Sequence, residues 1–218
     1  MIFVIRRQQV HRMMRWTWGA LLIGGLSLLG YCGYVLLDAS AFQMAGIRLL
    51  EARPAPSMQA AEPRTLTLQH AVPAIHSPAK PLIPAAPTGT GIIGRIEVPR
   101  LGLSAIIAEG SDQRTLRRAV GHIAGTGWPG QPGNMAITGH RDTFFRPLRN
   151  ILQKDRIMLA TLQGEYGYQV VSMSIVGPDD VEVLRASDNE TLTLITCYPF
   201  TFLGPAPRRL IVRAERVE

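Results

Sequence analysis

The sequence predicts a mainly all-β domain, an antiparallel or mixed barrel with short helices, preceded by an N-terminal transmembrane helix. An uncharged stretch at residues 16–37 predicts the helix. Short strand-like segments separated by Gly, Pro and Asp fill residues 91–218 and predict the barrel. Seven or so strands in about 125 residues favour a barrel over an α/β sheet.

The uncharged stretch is long enough to cross a membrane. At ~1.5 Å per residue, residues 16–37 span a hydrocarbon core of roughly 30 Å. Basic residues crowd its N-terminal side, namely Arg6, Arg7, Arg12 and Arg15. The positive-inside rule therefore predicts that residues 1–15 are cytoplasmic and that the rest of the chain lies outside. A cleavable signal peptide, with Ala39-Ser40-Ala41 as exit, is the competing interpretation, but the run is longer than a typical one.

The next segment, residues 38–90, is predicted to be a Pro-rich extracytoplasmic stalk. A short helix from Phe42 to Arg53 is followed by prolines that recur among Ala, Ser and Thr up to Thr90. Such a composition favours an extended, semi-rigid chain. Leu66 and Leu68 leave open an additional edge strand.

The predicted folded domain, residues 91–218, begins where the strand-like pattern begins. Two helical interruptions are expected, from Asp112 to Val120, capped by Ser111 or Asp112, and from Phe145 to Leu152. The expected strands are Ile92 to Val98, Ser104 to Ala108, Met135 to Gly139, Arg156 to Thr161, Tyr166 to Ile175, Glu190 to Cys197 and Arg208 to Ala214.

The distribution of charge argues against a nucleic-acid partner. The net charge is +7, but residues 1–90 contribute +5 (eight basic, three acidic) and residues 91–218 only +2 (fifteen basic, thirteen acidic). Membrane topology accounts for much of the excess, and the distal half has no basic helix with interleaved aromatic residues.

Three residues in the distal half could act together as a nucleophilic site. Cys197 ends a predicted strand, His140 follows another, and Arg209 lies on the polar face of a third. Arg208 is the second choice for the arginine. Each residue also has a structural reading, as a buried thiol, a turn hydrogen-bonder and a surface charge. Composition and spacing leave both readings open.

The motifs around these residues resemble the sortases, membrane-anchored cysteine transpeptidases of bacterial envelopes, and most closely class D. The similarity covers about residues 91–218. The matching pieces are the TLITC of residues 193–197, the following Tyr198-Pro199-Phe200, Gly204-Pro205-Ala206-Pro207 leading to Arg209, the GHRDTFFRPL of residues 139–148 and the PGQPGN of residues 129–134.

The resemblance implies an eight-stranded β-barrel with Cys197 and Arg209 on neighbouring strands and His140 at the adjoining loop. It implies that Cys197 attacks the Thr carbonyl of an LPxTG-like sorting signal, that His140 protonates the departing amine and that Arg209 binds the substrate and the tetrahedral intermediate. The partners would be sorting-signal proteins and an amine acceptor, from a peptidoglycan precursor or a pilin. His122, Thr196 and Phe200 are predicted to contact substrate, with two alternatives left open: a structural hydrogen bond for His122 and pairing with a neighbouring strand for Thr196.

No metal or other cofactor is predicted, because residues 179–182 (DDVE) suit a solvated loop better than a calcium site. Two other function classes remain open. One is a cysteine hydrolase or L,D-transpeptidase-like enzyme that acts on peptidoglycan, although Thr196-Cys197-Tyr198-Pro199 lacks the Ser-x-Gly-Cys-x-Arg pattern of the latter. The other is an inactive envelope binding domain.

Overall fold

The computed structural model describes residues 7–52, 91–202 and 204–217, with side chains from Arg12 onward. Residues 53–90 of the predicted stalk, which include Leu66 and Leu68, lie outside the described residues. The elements in chain order are α1 (Arg7–Glu51), β1 (Ile92–Val98), β2 (Leu103–Glu109), α2 (Gln113–Arg118), β3 (Val120–His122), β4 (Gly133–Gly139), β5 (Arg156–Thr161), β6 (Glu165–Val176), β7 (Glu190–Tyr198) and β8 (Arg208–Val217). Short 3-10 helices lie at Pro99–Leu101, Arg146–Asn150 and Val181–Leu184.

The strands close into a barrel in the order β1-β2-β3-β4-β7-β8-β6-β5. This confirms the expected eight-stranded barrel, and the pairing is mixed, because β2–β3 and β4–β7 are parallel while the other pairs are antiparallel. The sequence predicted seven of the strands. The missing one, β3, has three residues, too few to show the alternation of a strand.

The barrel interior is the hydrophobic core. On β7, Leu192 and Leu194 are fully buried in it, together with Met135 and Ile137 of β4. Because side chains alternate across a strand, the residues between them face outward. Cys197 therefore belongs to the outer face of the barrel.

Both short helices are smaller than predicted. Asp112 is the N-cap of α2, since its carboxylate accepts hydrogen bonds from the backbone of Arg114 and Thr115. The second predicted helix is a 3-10 turn at Arg146–Asn150, begun by Pro147 and held by the buried Leu148. Both helices bridge strand ends on the barrel surface.

The N-terminal helix is longer than the expected anchor. α1 runs to Glu51. Its apolar part is long enough to cross a membrane and is not covered by any other part of the described protein. Beyond Leu37 the helix packs on β1, β2 and α2. Residues 38–51, which the sequence assigns to the start of the stalk and which include most of the helix expected from Phe42 to Arg53, are the last turns of α1 and pack on the barrel.

Candidate active site

Three neighbouring strands bring the predicted catalytic residues to one end of the barrel. In the antiparallel β7–β8 pair, Cys197 is directly opposite Arg209. In the parallel β4–β7 pair, Gly139 is opposite Thr196. His140 directly follows the end of β4 and Cys197 is the next residue of β7, so the two occupy neighbouring positions. Cys197 thus lies between the histidine and the arginine.

All three side chains are accessible without being fully exposed. Cys197, His140 and Arg209 are half-buried on the outer face. Cys197 is also a free thiol, since it forms no disulfide. A thiol, an imidazole and a guanidinium therefore lie at neighbouring positions on the barrel surface.

The backbone after β4 fixes the position of His140. The amide of Phe145 donates to the carbonyl oxygen of His140 at 3.1 Å, which closes the loop that follows. The Phe145 ring is fully buried and lies against Gly139, where an added Cβ would come within 2.8 Å of it. A side chain at residue 139 would displace this ring or the histidine beside it.

Register and exposure distinguish the two candidate arginines. Arg209 Nη1 donates to the carbonyl oxygens of Ala206 and Arg208, at 3.1 and 3.0 Å. These contacts leave other guanidinium donors for a ligand. Arg208, the alternative, is exposed and lies opposite Tyr198 rather than Cys197.

Arg141 is a site-building residue that the sequence analysis did not single out. Its guanidinium is 9% exposed and donates to three carbonyl oxygens of the β7–β8 connection, those of Pro199 (2.7 Å), Phe202 (2.6 Å) and Gly204 (3.1 Å). It therefore joins the loop of His140 to the segment between Cys197 and Arg209. Its place directly after His140 was a signal, but its partners are distant in sequence.

The far end of the same outer face is covered by the β6–β7 connection. Asn134 donates from Nδ2 to the carbonyl oxygens of Val183 and Arg185, at 3.0 and 3.1 Å. The Thr193 hydroxyl donates to the Asn134 side chain at 2.7 Å. Between this cover and Cys197, the outer face of β7 includes the half-buried Ile195.

Thr196 faces the opposite way. It is 2% exposed, and its hydroxyl donates to the carbonyl oxygen of Gly139 at 2.8 Å. This interior position favours the predicted pairing with a neighbouring strand over a contact with substrate. Thr196 instead ties β7 to β4 one residue before Cys197 and His140.

His122 is also buried, at 1% exposure. Its Nδ1 lies 2.8 Å from a Glu109 carboxylate oxygen, and its Nε2 lies 3.0 Å from the carbonyl oxygen of Gly127 and from the Thr126 hydroxyl. The ring packs against Trp128, with centroids 4.7 Å apart. The enclosed ring, with protein partners at both nitrogens, favours the structural of the two predicted roles of His122.

Phe200 lies beyond the nucleophile, in the β7–β8 connection. It is half-buried, packs against the core and meets Tyr198 edge to face at 6.3 Å between centroids. The Tyr198–Pro199 peptide bond is cis. Phe200 remains a predicted wall of the substrate site.

The acidic residues before β7 have protein partners. Asp180 accepts from the Glu182 amide at 3.1 Å, and Glu182 pairs with Arg185 at 2.7 Å. Within residues 7–52, 91–202 and 204–217, no group of three or more His, Cys, Asp or Glu residues is arranged to hold a metal ion.

Comparisons with known proteins agree with this geometry. The profile of the Sortase domain family matches residues 96–217. Sortase D of Bacillus subtilis (strain 168) is 30% identical over 198 residues, which cover 90% of this chain and 96% of that relative. Among solved structures, a Clostridium perfringens Sortase D5 transpeptidase has a TM-score of 0.54 at 30% identity, covering 59% of this chain and 81% of that one. Sortase C-1 from Actinomyces oris has a TM-score of 0.55 at 32% identity, and the match covers 59% of this chain and 75% of that one.

Proposed function

Since this chain belongs to the sortase family of cysteine transpeptidases, we propose that Cys197, His140 and Arg209 are its catalytic residues. The single observation that carries the assignment is the register that puts Cys197 opposite Arg209 and one residue past the Gly139–Thr196 pair. Each residue has the chemistry that its role needs, respectively a thiolate nucleophile, a titratable imidazole and a permanent cation.

In the first half-reaction, the Cys197 thiolate attacks the carbonyl carbon of the sorting-signal Thr. The carbonyl oxygen becomes an oxyanion, and Arg209 donates hydrogen bonds to it or to the adjacent substrate backbone. His140 donates a proton to the amine nitrogen as the C–N bond breaks. The products are a thioacyl enzyme and a released C-terminal peptide.

In the second half-reaction, an amine of the acceptor attacks the thioacyl carbon. His140, now neutral, accepts the proton that the amine loses, as microscopic reversibility requires. Cys197 leaves as the thiolate, and a new amide bond joins the sorted protein to the acceptor. Arg209 cannot serve as the base, because a guanidinium stays protonated in proteins.

The proposed substrate is an extended peptide with an LPxTG-like sequence that lies along the outer face of β7. Sortases act on proteins that carry sorting signals, and the outer face between the β6–β7 cover and Cys197 holds the half-buried Ile195 beside the thiol. Phe200 is proposed to form a wall near the nucleophile. The acceptor amine is proposed to come from a peptidoglycan precursor or a pilin lysine.

The barrel is proposed to lie on the extracytoplasmic side of the cell membrane. α1 is a single helix long and apolar enough to span a bilayer, and arginines concentrate at its N-terminal side. Labelling of intact cells with a membrane-impermeant maleimide tests this orientation. We expect adduct formation at Cys197 in the wild type and loss of the adduct in Cys197→Ala, and labelling only after lysis would contradict it.

The catalytic assignment is tested by mass spectrometry of the full chain with LPxTG-like and LPxTA-like peptides. We expect a thioacyl adduct that requires Cys197, and a ligated product when an amine is added. Arg209→Gln should lose most of the product, whereas the matched control Arg208→Gln should retain it. An equal loss in both arginine variants would contradict the assignment of Arg209.

Two acceptors separate the remaining alternatives in the same assay. A peptidoglycan stem peptide and a lysine-bearing pilin peptide are compared at equal concentration, and the preferred amine identifies the acceptor class. Hydrolysis without ligation to either one would indicate a cysteine hydrolase. A thiol that forms no adduct with any peptide would indicate a binding domain.

A further inference from the structure

The packing of α1 on the barrel sets how far the barrel lies from the membrane. Gln43 accepts from the Ile106 amide at 2.9 Å and donates to the Arg118 carbonyl oxygen at 2.7 Å. Gly46 lies so close to Ile106 that an added Cβ would come within 2.7 Å of its side chain. The barrel is therefore attached to the first helical turns beyond the apolar stretch, which ends at Leu37.

The element nearest to this exit point is α2. Arg118 Nε and Nη2 lie 2.5 and 2.7 Å from the two carboxylate oxygens of Asp38, the first charged residue after the apolar stretch. Tyr31 and Tyr34 of α1 line a cavity of about 300 Å³ together with Arg114 and Arg117 of α2. Tyr34 and Asp38 are only ~6 Å apart along the helix axis, so both arginines lie near the bilayer–water interface.

The nearby acids are already occupied. Asp38 pairs with Arg118, and Asp112 accepts from the Arg114 amide and the Thr115 hydroxyl, at 2.8 and 2.7 Å. In the part of the chain that the structure describes, the Arg114 side chain has no hydrogen-bond partner, and that of Arg117 has only the Gln113 carbonyl oxygen, at 3.2 Å. Two exposed cations thus remain at the level of the lipid headgroups.

We propose that Arg114 and Arg117 bind the phosphate groups of anionic phospholipids and hold the α2 side of the barrel on the membrane surface. A guanidinium matches phosphate with two parallel hydrogen bonds, and tyrosines favour the headgroup region. The proposal rests on the proposed function only in that α1 crosses the membrane.

The α2 surface that carries Arg114 and Arg117 is close in the fold to the end of β4 that precedes His140. β3 starts at Val120, two residues after the end of α2 at Arg118. Gly121 of β3 pairs with Thr138, which precedes His140 by two residues. Lipid binding by α2 would therefore hold the catalytic end of this strand pair near the membrane, where membrane-bound substrates and acceptors are concentrated.

The test uses the full chain in nanodiscs of phosphatidylcholine, with and without phosphatidylglycerol. Hydrogen exchange of α2 is expected to slow when phosphatidylglycerol is present. The double variant Arg114→Gln/Arg117→Gln should lose this difference. Its control, Arg149→Gln/Arg156→Gln, removes the same charge from exposed positions on elements other than those that pack on α1, and should keep it.

Equal exchange in both lipids, or a lipid effect that persists in the Arg114/Arg117 variant, would overturn the proposal. Protection by free glycerol phosphate over phosphatidylcholine discs would also overturn it, because the ligand would then be a soluble phosphate. Ligation of a sorting peptide, measured in the same discs, separates this result from the proposed function: its failure would refute the catalytic assignment and leave the exchange result unchanged.

Discussion

The chain contains two Gly-His dipeptides, and the regions around them differ in what the histidine has left to offer. The His122 ring is 1% exposed and has partners at both nitrogens. The His140 ring is half-buried, and among the described residues no hydrogen bond to its side chain is formed. A histidine whose nitrogens are held by the protein stabilises a loop, whereas one with free nitrogens beside a thiol can move protons. Environment, not residue type, separates the two roles.

The largest expected effect comes from the free histidine. His140→Ala should lower the rate of peptide transfer by about 10²–10⁴-fold, because general acid–base catalysis contributes that much. The thermal midpoint should hardly change, since the ring has no described partner. The measurement is product formation together with a melting curve. A small loss of rate, or a loss explained by unfolding, would contradict the difference in role between His140 and His122.

The next effect concerns the residue that holds the two catalytic loops together. Arg141→Met should reduce kcat by about 10- to 100-fold, because the segment between Cys197 and Arg209 loses three anchoring hydrogen bonds and misplaced reactive groups are costly. Steady-state kinetics should show a smaller change in KM. Arg146→Met, an exposed arginine on the same loop, is the control. A change confined to KM would indicate a role in binding instead of positioning.

Replacing the enclosed His122 should mainly reduce stability, whereas replacing His140 should mainly reduce the transfer rate. His122→Ala is expected to lower the free energy of unfolding by about 1–3 kcal/mol, because the Glu109 carboxylate and the Gly127 carbonyl oxygen lose their partner. Chemical denaturation measures this loss. The transfer rate of the folded fraction should stay within a few-fold of the wild type. A variant that is stable but inactive would instead support a contact between His122 and the substrate.

The smallest expected effect concerns the ion pair of Asp155 and Arg100, which contributes to stability and lies outside the catalytic site. Asp155 is buried and pairs with Arg100, and these hydrogen bonds hold the pKa of the carboxyl below its usual range. A lowered pKa in the folded state stabilises the protein above the unfolded pKa of about 3.9 and loses that contribution as the pH falls through the folded value.

Asp155→Asn should therefore lower the urea midpoint at pH 7 without lowering the transfer rate of folded enzyme. The difference from the wild type should narrow as the pH falls below about 4. Urea melts at several pH values make the measurement. A difference that stays constant with pH would mean that the packing of the side chain, and not its charge, accounts for the loss.

Local signals accounted for much of the fold and for the central residues of the site. Alternation and turn residues predicted seven strands, two of them, β1 and β5, with their final bounds. Cys197 and His140 were found because Cys197 ends a predicted strand, His140 follows another, and both lie in motifs of the family. The interior position of Thr196 was not found, because the face that a strand presents depends on its barrel neighbours.

By itself, the sequence determined the apolar helix, the strand pattern and the residues with nucleophilic and acid–base chemistry, since these depend on composition and short-range periodicity. Tertiary structure alone decided three features: the three-residue β3, the packing of residues 38–51 against the barrel, and the hydrogen bonds of Arg141. Each depends on contacts between residues far apart in the chain. Such contacts leave no period in the sequence, and only the closed barrel brings their partners together.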